Sequence, residues 1–135
     1  MTVEKKSKRV EIAGGCMCGQ VRYLLSCDPV LATMCHCSDC RRSCGAQSVA
    51  WVIVPVEHFS FTQGEPVRFA SSQDVERTFC SKCGTSLTYQ VKRRGHQIDI
   101  TTGSLDDPEA YPPTQDYYCR DRLSWVRNCT ENQNE

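Results

Sequence analysis

The chain has 135 residues, 39% of them apolar, and carries 16 basic against 16 acidic side chains, so its formal net charge is zero. That length suits one domain with a modest core, and the balanced charge excludes a whole-domain electrostatic footprint for nucleic acid. The longest apolar run, Val49–Val56, is far too short to cross a bilayer. Met1–Arg9 is polar and basic, unlike a secretion signal. The expected location is therefore the cytoplasm, with the nucleus also open.

In chain order, residues 1–13 read as a basic tail, with Lys5, Lys6, Lys8 and Arg9 as solvated charges. Cys16-Met-Cys18-Gly19 follows, and then Val21–Leu25, a short segment rich in strand formers. Cys35-His-Cys37-Ser-Asp-Cys40 leads into a short predicted helix from Asp39 through Arg42. Val49–Val54 is a continuous apolar run of strand length. Phe59–Thr62 alternates until Gly64-Glu-Pro66 breaks it, and Arg77–Phe79 leads into Cys80-Ser-Lys-Cys83-Gly84. Leu87–Val91 and Ile98–Thr101 alternate on either side of a turn at Arg93-Arg-Gly95, and Gly103–Pro108 and Pro112-Pro113 mark loops. No long helical stripe occurs. The expected fold is mainly β, one small domain over residues 14–127 with metal sites at hairpin ends, followed by a tail over 128–135.

Eleven cysteines in 135 residues would suit a secreted disulfide scaffold. The odd count, the absence of a signal segment and the tight spacings suit a metal instead. Cys80-x-x-Cys83 brings both sulfurs to one ion while the backbone turns, and Gly84 can adopt the positive φ that lets the chain curl round it. In Cys16-x-Cys18, residues i and i+2 lie on one face of an extended chain, with Gly19 easing the turn. Together the two pairs supply four thiolates and close a tetrahedron. Such a site is structural.

Cys35-x-Cys37-x-x-Cys40 supplies three thiolates at close range. If the fourth position holds water or substrate, the ion can act as a Lewis acid. Cys44 is the rival for that position, with His36 a weaker one. A four-cysteine iron–sulfur run is the other inorganic reading, but the first gap is one residue instead of two, and Gly45 stands where that motif has proline. Cys27, Cys119 and Cys129 have no ligand spacing.

Gly14–Tyr23, Cys35–Arg42, Phe79–Leu87, Gly103–Pro108 and the late Trp125 together resemble the glutathione-dependent formaldehyde-activating enzyme family, which includes the centromere protein V type of domain. The resemblance covers nearly everything from Gly14 to Trp125. It implies several coiled β-sheets stapled by zinc, as in a zinc-containing Rab-binding chaperone. It also implies a structural zinc on Cys16, Cys18, Cys80 and Cys83, and a catalytic zinc on Cys35, Cys37 and Cys40. The expected cofactor is thus two Zn²⁺ per chain, the three-ligand site only partly occupied. The family activity is addition of glutathione to formaldehyde, giving S-hydroxymethylglutathione, a reaction classed with the carbon–sulfur lyases.

The expected partner is a small thiol such as glutathione, with no membrane and no nucleic acid, and the sequence sets no oligomeric state. No general base stands out. His36 and Asp39 sit beside ligands and suit hydrogen bonding to them, while His58 and His96 read as surface residues. Arg41 and Arg42 could pair with a substrate carboxylate, and Tyr117, Tyr118 and Trp125 could line a cleft. The alternative is a non-catalytic zinc-stabilised module for a protein or nucleic-acid partner, with Cys44 closing the second site.

Overall fold

A computed structural model of the chain describes residues 9–127. Lys5, Lys6, Lys8, Cys129 and the tail 128–135 therefore lie outside the described residues. Within them, β1 (Ile12–Gly15), β2 (Arg22–Leu25) and β5 (Phe59–Gln63) form a three-stranded sheet in the order β1-β2-β5. A seven-stranded sheet runs β10-β3-β4-β9-β8-β7-β6. Its strands are β3 (Leu31–Cys35), β4 (Val49–Pro55), β6 (Val67–Ser72), β7 (Val75–Phe79), β8 (Ser86–Val91), β9 (Gln97–Thr101) and β10 (Gln115–Tyr117). The pairings are antiparallel except β10 on β3, which is parallel. One helix, α1 (Ser38–Cys44), lies between β3 and β4. No helix of the described residues is long and apolar enough to cross a membrane.

The apolar run of β4 is explained by burial on both faces. Val52 and Val54 join Val21, Tyr23, Leu25, Leu87, Ile98 and Ile100 in the core between the two sheets. Trp51 and Ile53, on the opposite face by the strand period, line a cavity on the far side of the large sheet. Alternation in β9 divides in the same way: Ile98 and Ile100 enter the core, and Asp99 opens to the cavity.

The Gly103–Pro108 segment binds the small sheet to the large one. Tyr23 Oη and Ser104 Oγ are 2.6 Å apart, and Arg22 donates twice to the Asp106 carboxylate at 3.0 and 2.6 Å. That bidentate pair holds the Asp106 carboxyl below its ordinary range. Leu105 is buried and bridges Gly14, whose missing side chain makes room: a Cβ there would meet the Tyr23 hydroxyl and stand 2.7 Å from the Ser104 carbonyl oxygen. This stretch, read from sequence as a loop, is a latch.

The predicted strands at 21–25, 49–54, 59–62, 77–79, 87–91 and 98–101 all occur, most of them longer by a residue or two at one end, while β2 starts one residue late, at Arg22. The predicted helix spans Ser38–Cys44 and stops at Gly45, which takes φ +63°. Strands β1, β3, β6 and β10 had no signal strong enough to read.

Candidate functional site

Two turns of the same shape bring four sulfurs together. In the first, the Gly19 N–H donates to the Cys16 carbonyl and Gly19 takes φ +84°. In the second, the Gly84 N–H donates to the Cys80 carbonyl and Gly84 takes φ +81°. The Sγ atoms of Cys16, Cys18, Cys80 and Cys83 all lie within 4.8 Å of one another and could hold one metal ion. Backbone N–H groups point at these sulfurs, from Val21 to Cys16 at 3.2 Å and from Lys82 to Cys80 at 3.3 Å. The Thr85 hydroxyl, 3.2 Å from Cys83 Sγ, and the Thr85 N–H, followed by the Cys18 N–H, hold the Cys83 thiol down at about 5. Hydrogen bonds to the ionised form have that effect, and a metal requires thiolates. The donor set therefore fits a closed zinc site.

Cys35, at the end of β3, and Cys40, on α1, are both buried, with sulfurs 3.4 Å apart. Cys37 precedes the first turn of α1 and is half-buried. These three do not form a second group as tight as the first among the described residues. All three open into one cavity of about 420 Å³, walled by Trp51, Ile53, Tyr89, Arg77 and Asp99 and edged by Tyr117 and Tyr118. The hydrogen bond between them lowers the Cys35 thiol against the effect of burial, whereas the same neighbour and burial push Cys40 up.

Arg77 is the cation that faces them. It is buried on β7, with Nε donating to Ser71 Oγ at 3.0 Å and Nη1 to Ser43 Oγ on α1 at 3.2 Å. Its guanidinium lies over the Tyr89 ring, 4.6 Å from the centroid, and reaches the Cys40 thiol. A buried charge needs an opposite one nearby, and three thiolates on one Zn²⁺ would carry a net negative charge. The arginine and the donor set therefore fit a thiolate-bound cation at this end of the cavity.

Residues 11–121 match the sequence model of the glutathione-dependent formaldehyde-activating enzyme. The chain belongs to that family. A protein of Halomonas elongata that carries the family name provisionally is 30% identical over 112 residues, covering 76% of this chain and 70% of its own. An uncharacterized lyase of Schizosaccharomyces pombe is 31% identical over 80 residues, 58% of this chain. The match spans 57% of that lyase's own length. A Rhodobacter sphaeroides protein of known crystal structure shares the fold at a TM-score of 0.60 and 19% identity, over 77% of this chain and 98% of its own.

The remaining candidates are placed as follows in this family member. His36 is fully buried and points away from the cavity, with Nε2 3.0 Å from the Asp116 carboxylate on β10 and its N–H bonded to the Tyr117 carbonyl. It fixes the backbone between Cys35 and Cys37. Asp39 is exposed at the cavity edge. Arg41 and Arg42 line a separate depression with Leu123 and Trp125, and the cavity arginines are instead Arg77, Arg93 and Arg94. His58 bonds Ser26 Oγ at 2.9 Å and His96 is exposed. Cys44 packs against the Cys35, Cys40 and Trp51 cluster but opens to depressions other than the three-cysteine cavity. Cys27 packs against the main core, and Cys119 is exposed.

Arg77, Tyr89 and Asp99 were not singled out from sequence. One signal was available: Asp99 is a carboxylate inside the apolar strand Ile98-Asp-Ile100, a position where Asp is disfavoured.

Proposed function

We propose that the chain is a zinc-dependent, carbon–sulfur lyase-like enzyme that acts on the adduct of a thiol with an aldehyde, of the glutathione-plus-formaldehyde kind. The observation that carries the reading is the cavity into which Cys35, Cys37 and Cys40 all open beside the buried Arg77. In this reading Cys16, Cys18, Cys80 and Cys83 hold a structural zinc. Cys35, Cys37 and Cys40 hold a second one, partly occupied because only three side chains retain it. Family membership and the lyase and enzyme names carried by the two relatives support the same class of chemistry.

Zinc at the three cysteines would supply Lewis acidity and favour the thiolate of an incoming thiol. The protein's own groups do the rest. Arg77 offsets the negative charge gathered on the sulfurs. Trp51, Ile53 and Tyr89 wall off water on one side, and the cavity holds thiol and aldehyde together so that their reaction becomes effectively intramolecular. A carbon–sulfur bond forms, the carbonyl π bond opens to oxygen, and the proton of the thiol ends on that oxygen, giving a hemithioacetal.

The test is the exchange rate between glutathione, formaldehyde and their adduct, followed by NMR with zinc-loaded protein. The reading predicts faster exchange with the wild type and spontaneous rates with Cys37→Ser. Spontaneous rates with zinc-loaded wild type would overturn it.

The packing of Cys44 against the same cluster favours a second reading, a zinc-stabilised module that binds a protein or nucleic acid, with Cys44 as fourth ligand. Its opening away from the cavity supports the enzyme reading over this one.

A further inference from the structure

His36 lies between two of the three cysteines of the cavity, and it is tied to a strand 80 positions away. Its Nε2 is 3.0 Å from Asp116 Oδ1, and its backbone N–H donates to the Tyr117 carbonyl at 3.0 Å. The imidazole is fully buried and the Asp116 side chain is 2% exposed. Both bonds cross from the end of β3 to β10, where Tyr117 stands opposite Cys35 in the parallel register.

Stability alone does not account for this pair. Taking two polar groups out of water costs desolvation, and apolar residues of similar volume often serve as well. His36 Nδ1 is moreover buried with no hydrogen-bond partner among the described residues, which is a further cost. What a hydrogen bond adds to apolar packing is direction. Direction matters here because the three cysteines are not held alike. The ladder with β4 fixes Cys35, and α1 carries Cys40. Cys37 belongs to neither element and precedes α1 at φ −59° and ψ 138°. Its aim therefore depends on the peptide it shares with His36.

The other end of the tie reaches the cavity mouth. Tyr117 and Tyr118 edge the cavity. Tyr118 takes φ +60° and ψ +45°, and it is the one non-glycine residue with positive φ among the described residues. A bulky residue stays in that region only where its surroundings over-determine it. Asp116 and Tyr117, both bonded to His36, immediately precede it.

Resting on the functional reading above, we infer that Asp116 is a positioning residue: through His36 it sets the aim of Cys37 at the second ion and couples that ion to the tyrosine rim. The carboxylate acts by orienting the imidazole, and the imidazole by fixing the backbone between the two ligands.

The test reads the two ions separately, by chelator competition on zinc-loaded full-length chain. His36→Phe combined with Asp116→Leu removes both halves of the pair and leaves apolar groups in their place. The inference predicts a second ion about 10- to 100-fold weaker, the range for groups that orient metal ligands from outside, with the four-cysteine ion unchanged. Asp116→Asn, whose Oδ1 still accepts from the His36 Nε2–H, should hold the second ion nearly as the wild type does. A further measurement needs no variant. Coupling is reciprocal, so loading the second ion in the wild type should slow backbone amide exchange at Gln115–Tyr117 by a similar factor. An undiminished second ion in the double variant, equal weakening of both ions, an equal loss in Asp116→Asn, or exchange in β10 indifferent to the second ion overturns the assignment and leaves the functional reading standing. A wild type that takes no ion at Cys35, Cys37 and Cys40 overturns both.

Discussion

The sulfurs of Cys18 and Cys80 lie 3.8 Å apart although 62 positions separate them in the chain. It joins the turn after β1 to the turn after β7, where Cys16 and Cys80 also pack in the main core, and the four sulfurs could hold one ion between them. Cys83→Ser should therefore remove one zinc per chain and destabilise the fold by more than about 4 kcal/mol, the range in which loss of a structural metal falls. In a domain of this size that lowers the melting temperature by about 10 °C or more. Metal analysis and calorimetric melting check both numbers. Protons compete with metal for thiolates, so retention of this ion should weaken as the pH falls.

The latch between the sheets makes a separate prediction. Gly14→Ala would press a methyl group against the Tyr23 hydroxyl and the Ser104 carbonyl, where overpacking costs about 1–3 kcal/mol. Denaturant unfolding should show that loss with both metal contents unchanged, because the atoms the methyl group would meet first belong to Tyr23 and Ser104 and not to a cysteine.

Arg77 should matter to the second ion and not to the first. Arg77→Met keeps the stem over Tyr89 and removes the charge beside Cys40. Groups that support metal ligands from outside typically contribute 10- to 100-fold in affinity. Competition with a chelator should show a loss of about that size at Cys35, Cys37 and Cys40, with the four-cysteine ion retained.

Asp99 gives the protein a pH dependence of determinate sign. Its native carboxyl titrates at about 7, against about 3.9 in the unfolded chain. Across that window the native state binds more protons, so this contribution to stability falls as the pH rises and levels off above 7. The charged and titratable groups facing it are Arg77 from β7, Tyr89 from β8 and Arg94 from the turn, with Ile53 of β4 apolar. The advantage of Asp99→Asn over the wild type in urea midpoint should grow steadily from pH 5 to pH 8. A wild-type advantage at pH 8 would contradict the burial assigned to this carboxyl.

The elements legible in the sequence are those whose composition and burial agree. Val49–Val54 is apolar because both faces are covered, and the two Cys-Gly turns are read from glycines that do take positive φ. Strand β3, Leu31-Ala-Thr-Met-Cys35, was missed because Leu, Ala and Met favour helix. Pairing with β4 and β10 decides its form. Strand β10 is three residues, Gln-Asp-Tyr, with no apolar period to read. The four-cysteine group was legible because two short motifs each carry half a tetrahedron. The row Asp99–Tyr89–Arg77 was not, because it exists only through the register of three strands. Register is a property of pairing and not of any local segment.

Spacing alone could not place Cys44, and the structure turns it toward a different depression from the three-cysteine cavity. Cys44→Ser should therefore keep the second zinc with affinity close to that of the wild type, measured by chelator competition. Loss of that ion would favour the closed, non-catalytic site.

The most direct test of the account is a zinc-resolved crystal structure of the chain soaked with glutathione, using anomalous scattering to locate the ions. The account predicts one ion on Cys16, Cys18, Cys80 and Cys83. It predicts a second on Cys35, Cys37 and Cys40 whose remaining position is taken by the sulfur of glutathione. A second ion whose fourth ligand is Cys44 or another protein atom, with glutathione absent from the cavity, would contradict it.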